Sequence, residues 1–165
     1  MKTLSVIALF GTLSIMFMGC PYESKLPLDS ADKGKIDKDL AGKWEEKGSE
    51  GYTWNCEVDG NQYRITKKST DDPDADPTVY TGFLSEVNGA QFLNVSEQNY
   101  DGDKKYMLYR MEKKNDSKVK FQAVTDNITE EFASSEDLKA FVKKNMELTF
   151  FYNKDDEKTF YKDDE

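Results

Sequence analysis

The 165-residue chain contains no histidine. That absence alone excludes imidazole acid–base chemistry, Ser-His-Asp and Cys-His constellations, and ordinary zinc or copper sites. Arginine is scarce as well: only Arg64 and Arg110 occur, in a chain of formal net charge −9. Nucleic acid and anionic lipid surfaces are poor partners for such a chain, because each phosphate contact needs a cationic side chain. A cationic partner, or simple solubility, fits the charge better. Cysteine is limited to Cys20 and Cys56, and proline to four residues. Long apolar stretches are confined to one place, the run from Leu4 to Met18.

That run follows Lys2 and ends in Phe17-Met18-Gly19-Cys20. A short positive start, an apolar core below the ~20 residues a membrane span needs, and a small residue before the next position describe a secretion signal. The order also resembles a bacterial lipobox. The resemblance implies cleavage before Cys20 and lipid on its sulfur, so residues 1–19 are expected to be removed and Cys20 to begin the mature chain. Loss of the signal leaves 146 residues and takes the formal charge from −9 to −10, because the signal holds one lysine and no acid. One domain of ordinary size, burying roughly two thirds of its unfolded surface, is the expectation. With Cys20 committed to lipid, Cys56 has no partner for an internal disulfide.

Residues 20–39 carry Pro21, Pro27 and Gly34 and show no apolar periodicity, so they read as a lipidated cysteine and flexible tether of ~25 Å root-mean-square span. Leu26 and Leu28 can dock on the domain, and Ile36 and Leu40 mark where packing is expected to begin. From Gly42 short segments alternate in polarity between turn signals, which is the pattern of an antiparallel all-β meander. Strands are expected near 42–47, 52–58, 61–68, 78–87, 90–96, 104–113 and 117–125. Asp59-Gly60-Asn61 and Asn88-Gly89 supply the residues that tight hairpins require, and 114–117 suits a longer reversal.

One helix is expected late in the chain. Ser134 or Ser135 can cap it, Glu136 and Asp137 suit its first turn, and Lys143 and Lys144 its last. Leu138, Phe141, Val142, Asn145 and Met146 follow helical spacing. Beyond it, segments 148–152 and 158–161 flank the polar run 153–157, giving a final hairpin, and Asp163–Glu165 form a solvated tail.

Leu40-Ala41-Gly42-Lys43-Trp44 at the first strand resembles the Gly-x-Trp opening of lipocalin and wider calycin barrels. The resemblance implies a calycin-like β-barrel over residues 40–165, with Gly42 bending into the first strand and Trp44 packed across the closed end. Thr125-Asp126-Asn127 lacks the tyrosine of the calycin Thr-Asp-Tyr loop, and the helix here precedes the last strands. Lipobox, tether, Gly-x-Trp and late helix together resemble the small lipoproteins of Bacteroidetes-type bacteria, a resemblance that implies no settled activity. It does imply a cell-envelope location, lipid-anchored to the outer membrane.

Carboxylates at alternate positions in Asp72-Pro73-Asp74-Ala75-Asp76-Pro77 are suggestive of calcium, but Pro77 and Phe83 stand where an EF-hand loop needs glycine and glutamate. A solvated acidic loop is the better reading. Glu45 and Glu46 point to opposite strand faces and cannot act as a pair. Ten Phe, nine Tyr and two Trp make the chain rich in aromatics. A barrel of this size is either filled by such side chains or holds one small ligand. Tyr52, Trp54, Tyr63, Tyr80, Tyr106 and Tyr109 are the candidate ligand-binding residues, while Cys56 reads as a small buried residue on the Tyr52-Trp54 face. No nucleophile–base pair, cofactor motif or metal set emerges. The expected function is therefore a non-enzymatic, monomeric binding module for a small apolar ligand. The alternative is an envelope inhibitor whose acidic surface recognises a basic protein such as a lysozyme or protease.

Overall fold

The structure, a computed structural model, describes residues 22–49, 51–98 and 102–163; the signal segment and Cys20 lie outside the described residues. Nine strands are present among them. Two-residue β1 (Glu23–Ser24) is followed by β2 (Gly42–Glu46), β3 (Tyr52–Asp59), β4 (Gln62–Ser69), β5 (Thr78–Val87) and β6 (Ala90–Glu97). Then come β7 (Tyr106–Asn115), β8 (Lys118–Val124), helix α1 (Ser135–Asn145) and β9 (Tyr152–Lys162). From β2 to β8 each strand pairs antiparallel with the next, and β9 lies between β8 and β2, closing an eight-stranded barrel with β1 as an extra strand on β7. Closure leaves the eight barrel strands without a free edge.

The expected meander is present, with strand bounds displaced by a residue or two. At the β5–β6 turn, Asn88 and Gly89 have φ of 50° and 83°, the left-handed pair that a two-residue hairpin needs. Gly42 has φ of 129°, and a Cβ there would meet Lys162 Cε at 2.8 Å, so the chain can enter β2 only through glycine.

Alternation divides the apolar residues into two layers. Trp44, Tyr63, Leu84, Leu93, Val95, Met111, Val119 and Phe160 form the barrel interior. Val87, Phe92, Leu108 and Val124 belong to a second cluster on the outer face, covered by Leu138, Val142 and Met146 of α1. The helix begins where expected: Ser134 Oγ accepts the Asp137 N–H at 3.1 Å, and acids and lysines occupy its first and last turns. Burial of Leu138 and Val142 at 0% and Met146 at 1% confirms the predicted stripe.

Two expectations need correction. Residues 22–39 are not a free tether over their described length; they form a strap packed along the barrel wall. Tyr22 N–H donates to the Val124 carbonyl at 3.0 Å, β1 pairs with β7, and Lys35 bridges Leu84. Leu28 is 1% exposed and its N–H donates to Oδ1 of the fully buried Asn94 at 2.8 Å. Residues 22–39 therefore belong to the packed domain. The chain does end in an antiparallel pair, β8 with β9, but no reversal occurs at 153–157: those residues lie within β9, where the register against β8 shifts between the Gln122–Glu157 and Val124–Tyr152 pairs. Their charges are matched within and across strands: Lys120 of β8 reaches Glu157 at 2.7 Å, and Lys158 of β9 lies 3.5 Å from Asp156 on the same strand and 3.7 Å from Glu46 of β2. Such pairing allows an acidic stretch to remain extended.

Candidate functional site

The strap also closes one end of the barrel. A 3-10 turn over Lys38–Leu40 brings Leu40 beneath the interior, where its carbonyl accepts the Trp44 indole N–H at 2.9 Å. Tyr63, 1% exposed, donates its hydroxyl to the Asp37 carbonyl at 3.0 Å and accepts the Asp37 N–H at 2.6 Å. Burial holds the Tyr63 phenol above its usual range. Lys113 clasps the same segment from outside, with Nζ 2.6 Å from Asp39 and 3.3 Å from Asp37. Trp44 therefore stands at the closed end, as its Gly-x-Trp setting implies.

Above this floor the barrel is hollow. A cavity of about 210 Å³ is lined by residues of all eight barrel strands, among them Trp54, Tyr80, Val95, Met107, Tyr109 and Phe160. Trp54 and Phe160 meet edge to face at 5.5 Å, Phe121 and Phe160 at 5.8 Å, and Trp54 lies 6.2 Å from Tyr80 at an interplanar angle of 25°. These contacts hold the aromatic walls around the void rather than across it. An apolar cavity of 150 Å³ suffices for benzene. By the same scale about 210 Å³ admits an apolar body of roughly eight heavy atoms.

Four of the six candidate ligand residues line this cavity: Trp54, Tyr63, Tyr80 and Tyr109. Tyr52 does not; it is 42% exposed at the rim, with the Lys67 ammonium 3.9 Å over its ring. Nor does Tyr106, which meets Phe83 edge to face at 6.4 Å and packs with the outer layer. A period of two places Tyr106 and Leu108 on one face of β7 and Met107 and Tyr109 on the other, and the inward face is the second. Met107, Phe121 and Phe160 are lining residues that sequence reasoning missed, although Val119, Phe121 and Ala123 alternate with Lys118, Lys120 and Gln122, a signal that could have found Phe121. Cys56 lines the cavity as well, and burial pushes its thiol up to about 12, which keeps it protonated and inert.

The lining is apolar with a few polar groups. The Trp54 indole N–H is buried with no acceptor, a state that costs about 1–3 kcal/mol if nothing fills it. Among the described residues the Tyr109 hydroxyl reaches Met107 Sδ, at 3.8 Å, and burial together with Asp156, Tyr80 and Glu46 holds its phenol above the usual range. Lys67 and Lys158 also border the void. Among the described residues no cluster of His, Cys, Asp or Glu is placed to hold a metal ion, and no helix is long and apolar enough to cross a membrane.

Comparison of the chain with protein-family models, with curated proteins and with solved structures found no match.

Proposed function

We propose that this protein is a non-enzymatic binding module that holds one small, mainly apolar molecule inside its barrel, and that it is anchored at the cell envelope by lipid on Cys20. The observation that carries the first part is the cavity itself. A barrel closed at one end by its own strap, lined by Trp54, Tyr80, Met107, Tyr109 and Phe160, encloses about 210 Å³ that its aromatic side chains leave empty. An apolar pocket with a few converging polar groups is the usual form of a small-molecule site. The anchor rests on the Leu4–Cys20 sequence. On this reading cleavage before Cys20 and acylation of its sulfur would hold the module at the outer membrane.

The alternative, inhibition of a cationic envelope enzyme, draws on the turn between β4 and β5. There Asp71, Asp72, Asp74 and Asp76 are exposed, and no salt bridge is formed by any of them among the described residues. One set of titrations separates the two. The chain from residue 20 onward, with Cys20→Ser, is titrated with 1-octanol while tryptophan emission is followed, and separately with a basic lysozyme at low and high salt. A saturable change in emission that survives high salt and disappears in Val95→Phe, which fills the cavity, is the expected result. Salt-sensitive lysozyme binding with no change of emission on adding octanol refutes the pocket and supports the inhibitor.

A further inference from the structure

The polar groups bordering the cavity are unequal, and the inequality points to a ligand chemistry. Lys158 lies between two acids of the same rim, 3.7 Å from Glu46 and 3.5 Å from Asp156, so its charge is already matched. Lys67 has no carboxylate partner among the described residues. Its ammonium rests on ring faces instead, 3.9 Å over Tyr52 and 5.3 Å over Trp54. Trp54 is the residue paired with Lys67 across β3 and β4, and its buried indole N–H has no acceptor. A cation without an anion and a donor without an acceptor thus stand side by side, where the apolar wall meets the rim.

We infer that the ligand carries a single carboxylate on an apolar body of roughly eight heavy atoms, with the carboxylate held by Lys67 and the Trp54 N–H. A carboxylate accepts several hydrogen bonds and can take both donors at once, whereas an ammonium group offers neither donor an acceptor and is repelled by Lys67. Glu46 and Asp156 oppose an anion on their side of the rim, but Lys158 between them offsets that repulsion and leaves the Lys67 side as the favourable seat. The apolar body then lies below, against Tyr80, Met107, Tyr109 and Phe160. The inference rests on the ligand-binding reading of the barrel and specifies what that reading leaves open.

Calorimetric titration of the same Cys20→Ser chain with octanoate, 1-octanol and octylamine at pH 8 tests it. Octanoate is expected to bind about tenfold more tightly than octanol, the scale of one charge-assisted hydrogen bond, and octylamine most weakly. Lys67→Met, which keeps the aliphatic stem, should bring octanoate down to the level of octanol, and Lys67→Arg should retain the preference. Trp54→Phe should weaken octanoate while leaving the cavity wall aromatic. Octanol binding as tightly as octanoate, or an acid preference unchanged in Lys67→Met, overturns the carboxylate assignment and leaves the apolar site standing. Failure of all three probes to bind overturns both. The comparison among probes on the chain with Lys67 intact decides the matter even if a variant does not fold.

Discussion

Leu28 offers the sharpest test of the strap, because a tether and a packed segment predict different outcomes for the same substitution. Leu28 is 1% exposed and sits in the outer cluster with Val87, Phe92, Leu108 and Val142. Leu28→Ala removes three carbon atoms from that cluster, about 2.4 kcal/mol at ~0.8 kcal/mol for each buried methylene. The void left behind adds a further cost, and measured Leu→Ala changes in cores span roughly 2.7–5 kcal/mol. About 3 kcal/mol is therefore expected. For a small domain with an m value of ~1–3 kcal/mol per molar urea, that moves the unfolding midpoint down by more than about 1 M. Urea melts followed by far-ultraviolet dichroism measure the shift directly. Lys25→Ala, at an exposed position on the same segment, serves as the control and should stay within ~0.5 kcal/mol. A Leu28→Ala midpoint that moves no further than the control would mean that residues 22–39 do not pack in solution. Asn94→Ala tests the same contact from the barrel side, since it leaves the Leu28 N–H without its acceptor.

Three further outcomes are expected. Trp44→Ala should cost ~3–5 kcal/mol in the same melts, because it empties the closed end and orphans the Leu40 carbonyl. The Cys56 thiol is raised by burial from 9.0 to about 12, so the stability it contributes is present in full below pH 9 and declines as pH rises from there toward 12. Melts of the parent chain and Cys56→Ala across pH 8–11 should converge as pH rises, and parallel curves would contradict the raised thiol. Cys20→Ser should abolish incorporation of a fatty-acyl probe and release the protein from membranes; continued labelling in that variant would refute acylation at Cys20.

Much of the barrel was legible because its signals are local. Alternation of Val119, Phe121 and Ala123 with polar neighbours in β8 and the turn chemistry at Asn88-Gly89 each depend on neighbours in sequence, as does the Ser134 cap. The features that escaped depend on distant partners. β9 carries Asp155, Asp156 and Glu157 in its middle, and their extended conformation follows from Lys120, Gln122 and Lys158 arriving on the same and neighbouring strands. Closure through β2 and β9 joins Trp44 to Lys162, a pairing no local pattern encodes. The strap fails the periodicity test because it docks through single residues, Leu28 in the outer layer and Leu40 beneath the barrel. The candidate site was legible to the same degree. Trp54 was placed by aromatic content and parity together, and Tyr80 by aromatic content alone. Tyr106 was misplaced because its neighbour Met107 is apolar too, so composition could not say which of the two faces inward.

Pinning of the strap changes what lipid on Cys20 would do to the domain. Tyr22 is fastened to Val124 at the end of β8, the same end of the barrel at which Glu46, Tyr52, Thr78 and Glu97 form the open rim. Two residue steps separate Cys20 from Tyr22 and span at most ~7 Å, against the ~25 Å of a free tether. With Cys20 acylated, the domain cannot stand clear of the headgroups or tumble above them. Its open rim would then be the end held nearest the bilayer, together with Phe150 and Leu148, which are 72% and 38% exposed beside β9. A molecule leaving the membrane would then enter the barrel across a few ångströms of interface, without crossing bulk water.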